Sequence, residues 1–450
     1  PTTSISSTYI ILFITFAAFL QASRVGEYFV NFAFAAAGSS RGGPAKVAVF
    51  ASGLMGMING TSAGNVVATG SLTIPLMKRV GYRPQTAASV EAAASTGGQI
   101  MPPIMGAGAF IMAEITAIPY RDIAIAAIIP SVLYFVSVYF MVDKEALKNN
   151  MKGLPRSELP KFRVMARQVY LFAPILILIG ALFMGYSVIR AGTLSMAAAA
   201  VVSWLTPHKM GIRSILYAFE IAARMALQMV AVCAAAGVIV GVIALTGVGT
   251  RFSSLLLDLA GANQFAALVF AMLVAIILGM GMPTTAAYAV AAAVIAPGLI
   301  RMGIQPLTAH FFIFYYAVIS SITPPVALAA YAGAAIAQSD PMKTSVESFR
   351  FGLAAFIVPF MFFFSSEMLM QGEWIDIARV FGTALFGIYL MASSVQGWMW
   401  GRLNWPLRIV TLAAALAMIE GGLVSDLLGL GTAALVLAIQ RGLLSPRNAS

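Results

Sequence analysis

Residues 53–113 read GLMGMINGTSAGNVVATGSLTIPLMKRVGYRPQTAASVEAAASTGGQIMPPIMGAGAFIMA, and this stretch decides the fold. It is mostly apolar, yet polar and glycine residues interrupt it at 59–65 (NGTSAGN) and at 96–103 (TGGQIMPP). In a soluble chain these would be ordinary turns. In a membrane chain, non-helical backbone at depth is tolerated only where protein or a wet cavity satisfies it.

The composition places the chain in a membrane. Of its 450 residues, 60% are hydrophobic and 10% charged, and the mean hydropathy is +0.91. Soluble domains carry roughly 25% charged residues. Many separate apolar runs near 20 residues indicate an all-α polytopic membrane protein surrounded by lipid. The net charge of +11 reflects basic cytoplasmic loops rather than nucleic-acid binding. Cys233 is the single cysteine, which excludes an internal disulfide and a cysteine metal site. An apolar helix surrounds it, as expected of a packed small residue. No signal peptide is visible, and the sequence begins at Pro1 rather than Met, as expected of a processed or truncated chain.

From the opening stretch the reading runs outward. Apolar arms at 47–58 and 66–77 flank NGTSAGN, with Arg41 and Lys46 before them and Lys78, Arg79 and Arg83 after. An arm of this length reaches about 18 Å, against a hydrocarbon core of about 30 Å. The expectation is a re-entrant hairpin at 47–77 with its tip inside the membrane. Residues 84–117 then form a helix broken at TGGQIMPP, where Pro102 and Pro103 remove backbone donors and Gly97 and Gly98 loosen the preceding turn. Upstream, 7–22 is an apolar run followed by a mixed segment to Gly38; downstream, 122–142 crosses. The segment 143–167, with seven Lys or Arg against Asp143, Glu145 and Glu158, is cytoplasmic. Helices at 168–189, 191–206 and 214–245 follow, the last with Glu220 and Arg224 spaced to neutralise each other. A second hairpin at 264–300 turns at PTTAAY, and 306–338 is broken at SSITPP. Residues 346–368 cross, and three further helices lie near 375–398, 405–420 and 425–440, with Arg441 and Arg447 at the end. The expected fold has about 11 crossings plus two hairpins, with the N-terminus periplasmic and the C-terminus cytoplasmic.

The two interrupted regions are copies. Pro75, Arg79, Gly81, Pro84, Thr86, Pro102 and Pro103 meet Pro297, Arg301, Gly303, Pro306, Thr308, Pro324 and Pro325 in one gapless register, each pair 222 apart (325 less 103). Five crossings separate the units, so they are inverted repeats: 1–142 and 214–368, joined by a basic loop and two scaffold helices at 143–213 and followed by a module at 369–450. Inverted repeats with broken helices mark a transporter whose site lies at the repeat interface. Counterparts of 168–206 are missing before the first unit, so further helices are expected upstream of Pro1.

Hairpin tips and helix breaks present unpaired backbone groups. Half-helix N-termini suit a carboxylate or another anion, whereas carbonyls and hydroxyls suit a small hard cation. The first half offers Asn59, Thr61, Ser62, Asn65, Thr96, Gly97 and Gln99, and the second Thr284, Thr285, Ser320, Ser321 and Thr323. Of these, Asn59, Thr61, Ser62, Asn65, Thr284 and Thr285 are candidates for substrate. Ser62, Asn65, Thr96, Gly97, Gln99, Thr284, Ser321 and Thr323 are candidates for a coupling cation. Glu91 stands among alanines inside the first broken helix. Two readings are open for it: a carboxylate paired to arginine or backbone, or a proton carrier. Glu114 is read as solvated, and His310 as a helix-packing group.

The segments GMINGTSAGNVVATGSLTIPLMKRVGY, EAAASTGGQIMPPIMG, LGMGMPTTAAYAVAAAVIAPGLI and ISSITPPVALAAYA carry a family resemblance. They resemble the large membrane subunit of tripartite ATP-independent periplasmic (TRAP) transporters, most closely the fused-permease branch served by TAXI-type binding proteins. The resemblance covers roughly residues 7–368. It implies an elevator-type secondary transporter in the bacterial inner membrane, driven by a cation gradient and fed by a soluble periplasmic binding protein. It implies sodium as the usual coupling ion, with Glu91 keeping a proton open, and no covalent cofactor. It assigns cation and substrate roles to Ser62, Asn65, Thr96, Gly97, Thr284, Thr285, Ser321 and Thr323. A small four-helix subunit, or its equivalent in fused upstream helices, is the expected membrane partner, and a small organic anion, a carboxylate, the expected cargo. The competing class is an ion channel with re-entrant selectivity loops. An intramembrane enzyme has no support: paired aspartates at helix spacing, a His/Glu zinc motif and a Gly-x-Ser nucleophile context are all missing from the sequence.

Overall fold

The structure is a computed structural model that describes residues 9–57, 59, 61–418 and 422–440. Ser7, Gly60, Glu420, Arg441 and Arg447, used above, lie outside the described residues. The described chain is a bundle of helices. In order they are α1 (Ile11–Ala22), α2 (Val25–Ala37), α3 (Gly43–Gly56), α4 (Ser62–Arg79), α5 (Pro84–Gly97), α6 (Gly108–Thr116), α7 (Tyr120–Ala126), α8 (Ile128–Lys148), α9 (Phe162–Arg167), α10 (Ala173–Phe183) and α11 (Val188–Ser203). They continue as α12 (Ile212–Thr246), α13 (Val248–Ala262), α14 (Gln264–Gly279), α15 (Thr284–Arg301), α16 (Pro306–Ile319), α17 (Leu328–Ala337), α18 (Pro341–Gly352), α19 (Val358–Phe364), α20 (Trp374–Gln396), α21 (Trp405–Ala417) and α22 (Leu423–Gln440). Among the described residues, Tyr120–Lys148, Ile212–Thr246, Thr284–Arg301, Pro341–Phe364 and Trp374–Gln396 are each long and apolar enough to cross a membrane. Many of the remaining helices are shorter because the chain breaks within them.

The 222-residue shift recurs in the helix boundaries. Helix α4 (62–79) maps onto α15 (284–301), and α5 (84–97) onto α16 (306–319), at both ends. The matched prolines explain part of this. Pro84 and Pro306 each stand at the first position of a helix, where a missing N–H costs nothing. Pro75 and Pro297 stand inside α4 and α15. The breaks also match: after Gly97 the chain runs through turns to α6, and after Ile319 through a short 3-10 turn, Ser320–Ile322, to α17. Both Pro–Pro bonds, 102–103 and 324–325, are cis.

Three features differ from the sequence reading. First, α3 and α4 have 14 and 18 residues rather than about 12, because Lys78 and Arg79 remain helical and Pro75 is accommodated. At about 1.5 Å per residue these arms reach roughly 21 and 27 Å. Second, helix α13 was not anticipated. Its sequence, VGTRFSSLLLDLAGA, carries Arg251 and Asp258 and gives no continuous apolar run. It packs on α15, and at the same 222-residue shift it corresponds to α2, so the repeat extends beyond the hairpins. Third, α8 continues to Lys148, into the segment taken as loop, and α9 forms within that segment.

Packing interlocks the two units. The second part of each broken helix lies against the other unit: α17 packs on α4 and α5, and α6 on α15. Lys78 donates to the Ala337 carbonyl at 3.0 Å, and a Cβ on Gly333 would come 3.0 Å from the Ala88 carbonyl, so α17 approaches α5 closely. The basic segments are held together at one end. Lys46, buried, pairs with Asp143 at 2.6 Å, Arg41 reaches the same carboxylate, and Arg79 pairs with Glu158. The last three helices dock through α20 on α8, with α21 on α20 and α22 on α21. Glu220 and Arg224 form the expected pair at 2.9 Å on an exposed face of α12.

Candidate transport site

The first hairpin turns between α3 and α4, and its tip is pinned to the break after α5. Thr61 is the N-cap of α4, its hydroxyl accepting from the Gly64 amide at 3.1 Å. Asn65, fully buried one turn later, donates to the Ser52 carbonyl at 2.9 Å and reaches the Ser95 carbonyl at 3.5 Å. Its side-chain oxygen accepts from Asn59 at 2.9 Å. Gly56 and Gly98 meet backbone to backbone, since a Cβ on Gly98 would stand 2.4 Å from the Gly56 Cα. We expect Thr61→Ala to lower stability by about 1 kcal/mol through loss of the cap, measured as a lower thermal midpoint.

Gln99 joins the two halves. Its amide donates to the Asn59 carbonyl at 2.8 Å, and its side-chain oxygen accepts from the Thr284 hydroxyl at 3.2 Å. Thr284 opens α15 at the second tip. That tip is fixed to its own break by the Gly281 amide, which donates to the Val326 carbonyl at 3.2 Å. A polar chain therefore runs from Thr284 through Gln99 and Asn59 to Asn65. Two hydroxyls beside it are buried with no hydrogen-bond partner among the described residues: Ser62 at the first tip and Thr285 at the second. Buried hydroxyls are ordinarily satisfied, which sets these two apart from the rest of the network.

The other candidates have local roles. Thr96 and Thr323 bond back to the Ala92 and Ile319 carbonyls of their own helices, at 2.8 and 3.0 Å. Gly97 allows contact with the Tyr134 ring, where a Cβ would fall at 2.4 Å. Ser321 is buried in the 3-10 turn. His310 packs in α16, its Nδ1 at 2.8 Å from the Tyr288 hydroxyl.

Among the described residues, Glu91 pairs with neither an arginine nor backbone. It is fully buried, and four hydroxyls surround it, from Ser52, Thr69, Thr73 and Ser95. Sequence reasoning missed these four, although Asn65, Thr69 and Thr73 recur every fourth residue along α4 and form one polar stripe in an otherwise apolar segment. Arg24 was also not considered as a site residue. With Gln21, Glu27, Asn31 and Ser71 it lines a cleft that opens onto Asn59.

Comparison with known proteins supports the resemblance to the large TRAP membrane subunit. The family model described as "Tripartite ATP-independent periplasmic transporter, DctM component" matches residues 1–374. The C4-dicarboxylate TRAP transporter large permease protein DctM of Pseudomonas aeruginosa is 24% identical over 326 residues, 72% of this chain and 76% of that protein. Its namesake from Rhodobacter capsulatus is 22% identical over 335 residues, 71% of this chain and 75% of that one. The isethionate TRAP transporter permease protein DctMQ of Oleidesulfovibrio alaskensis is 22% identical over 73% of this chain, which spans about half (52%) of that longer protein. Helical architecture, repeat and family match agree: this chain belongs to the DctM family of tripartite ATP-independent periplasmic transporters, as a multi-pass protein of the bacterial inner membrane.

Proposed function

We propose that the chain is the permease of a secondary active, cation-coupled uptake system for a small organic anion. A periplasmic binding protein of the TAXI type delivers the cargo, and a small four-helix subunit, separate or fused, accompanies the permease. The relatives named for C4-dicarboxylates and for isethionate both handle small organic anions, which favours a carboxylate or a related acid here. In this reading the units are inverted, with 11 crossings plus two hairpins, the N-terminus periplasmic and the C-terminus cytoplasmic. The hairpins and broken helices move together as an elevator.

One observation carries the proposal: the two tips meet through Gln99, and each carries a buried hydroxyl with no partner, Ser62 and Thr285. The N-terminus of α15, with Thr284 and Thr285, suits an anionic oxygen. The oxygen-rich first tip, with Ser62, Asn65 and the carbonyls of the break at 96–99, suits the coupling cation. The test is exchange of labelled succinate across proteoliposomes containing the full chain and its binding protein. Saturable counterflow supports a carrier. A non-saturable conductance independent of the binding protein would favour the channel alternative.

A further inference from the structure

The four hydroxyls around Glu91 form an unusual environment for a buried carboxylate. Ser52 on α3, Thr69 on α4 and Ser95 on α5 lie 2.6, 2.5 and 3.0 Å from one carboxylate oxygen, and Thr73 on α4 bonds the other. Short O–H···O contacts of this kind are charge-assisted hydrogen bonds. Glu91 is the one ionisable side chain among these five.

Among the described residues, no charged side chain on the surrounding helices faces Glu91. Lys46 on α3 is committed to Asp143, and on α4 Lys78 holds the Ala337 carbonyl and Arg79 holds Glu158. On α8, Tyr134 donates to the Ala93 carbonyl, Lys144 to Tyr389 and Met399, and Glu145 lies by Arg350. Tyr139 on α8 lies under Lys46, and Lys148 is at the far end of α8. On α16, His310 pairs with Tyr288, Tyr316 donates to the Phe356 carbonyl, and Tyr315 packs edge-on against Tyr134. On α17, Tyr331 bonds the Pro325 carbonyl; on α18, Glu347 pairs with Arg83, and Lys343 lies in the first turn, where its amide bonds Asp340. An ionised Glu91 therefore has only neutral dipoles as compensation, and a lone charge at membrane depth is costly.

The hydroxyls can satisfy both protonation states. Each holds one proton, and two have a helix carbonyl as a second acceptor within reach. Thr69 lies 2.9 Å from the Asn65 carbonyl, and Thr73 lies 3.1 Å from the Thr69 carbonyl. With Glu91 ionised, all four hydroxyls turn toward it. With Glu91 protonated, the acid donates to one of them, and that hydroxyl turns to its helix carbonyl. Neither state leaves a buried polar group unpaired, so the exchange costs little more than a hydroxyl rotation.

The repeat supplies an independent argument. At the 222-residue shift, Ser52, Thr69, Thr73, Glu91 and Ser95 correspond to Val274, Ala291, Ile295, Ile313 and Ala317. The second unit builds the corresponding helices, two of them with the same boundaries, with apolar residues at all five positions, so the acid and its hydroxyls are not needed to hold a hairpin against a broken helix. They belong to the first unit alone and adjoin its tip. Thr69 reaches the carbonyl of Asn65, Asn65 holds Asn59, and Asn59 is held by Gln99.

We propose that Glu91 with Ser52, Thr69, Thr73 and Ser95 is a proton-binding site, and that its occupancy is transmitted to the tip of the first hairpin by the Thr69 hydroxyl. The proposal rests on the transport reading for its purpose, which the proton serves by setting the conformation of the first tip, where that reading places the coupling cation. Its test needs no substrate. Full-length chain in lipid nanodiscs, with Cys233→Ala, is titrated between about pH 5 and 9 by infrared difference spectroscopy of the carboxylic acid carbonyl. A nitroxide attached after Val67→Cys, at an exposed position on the first turns of α4, reports the tip. The expected result is a carboxylic acid band that follows pH and is lost in Glu91→Gln. The nitroxide spectrum follows the same titration and is pH-independent in Glu91→Gln, while Thr69→Val keeps the band but uncouples the nitroxide. The proposal is overturned if the band is absent in that range or persists in Glu91→Gln. It is equally overturned if the nitroxide answers to sodium and not to pH. A protein that shows the titration but no counterflow would contradict the transport reading and leave the proton site standing.

Discussion

Gly98→Ala is expected to lower the thermal midpoint of the purified chain and to reduce uptake more than tenfold. The added Cβ would stand 2.4 Å from the Gly56 Cα and 2.9 Å from its carbonyl carbon. Both are backbone atoms of α3 and cannot rotate away as a flexible side chain would. A Cβ on Gly56 would in turn meet the Gly98 Cα at 2.5 Å and the Asn65 side-chain nitrogen at 2.9 Å. Overpacking costs typically about 1–3 kcal/mol, and a backbone-to-backbone clash belongs at the upper end. The hairpin arm must move off the break, which strains the Asn65–Ser52 and Gln99–Asn59 bonds. Gly180→Ala and Gly382→Ala, where a Cβ meets nothing within 4 Å, are the controls and should leave both readouts unchanged. Equal behaviour of Gly98→Ala and the controls would remove the claim that this contact sets the site.

Gln99→Leu has the largest effect expected at the site itself. The side chain is fully buried and makes one bond to each half of the molecule. Leucine fills nearly the same volume but leaves the Asn59 carbonyl and the Thr284 hydroxyl without partners. Each unpaired buried group costs about 1–3 kcal/mol. If this cost falls on the closed state of the tips, uptake drops on the order of 100-fold, since each 1.4 kcal/mol is about tenfold. Helix α5 ends before Gln99, so its packing survives and the protein should still elute as a single folded species. Gln99→Glu keeps the acceptor for Thr284 and loses the donor to Asn59, so it separates the two bonds. Uptake within twofold of wild type in Gln99→Leu would show that the two tips act independently.

The fold was legible where the sequence carries strong punctuation. Pro84 and Pro306 mark helix starts, the Gly–Gly and Pro–Pro steps mark breaks, and the 222-residue spacing ties the two halves into one pattern. Helix α13 was not legible, because an amphipathic segment with Arg251 and Asp258 lacks the apolar run that identifies a spanning helix. Arm lengths were underestimated because lysine and arginine were taken as helix ends, whereas Lys78 and Arg79 remain helical. The site was legible as a set of interruptions but not as a network. Which hydroxyl meets which carbonyl depends on how α3, α4 and α5 pack, and sequence spacing fixes only neighbours on one helix. That is why Thr69 and Thr73 could have been found from the stripe they share with Asn65, while Ser52, on another helix, could not. Glu91 was recognisable as exceptional, but its partners were not.

Two tips and two breaks that form one site would couple cargo to a cation gradient. The most direct measurement is accumulation of the binding protein's own ligand in proteoliposomes containing the full chain, under an imposed inward gradient of protons or of sodium. The expected result is saturable accumulation above the external concentration that requires the binding protein and stops when the driving gradient is collapsed. Uptake that only equilibrates, whatever the gradient, would contradict it.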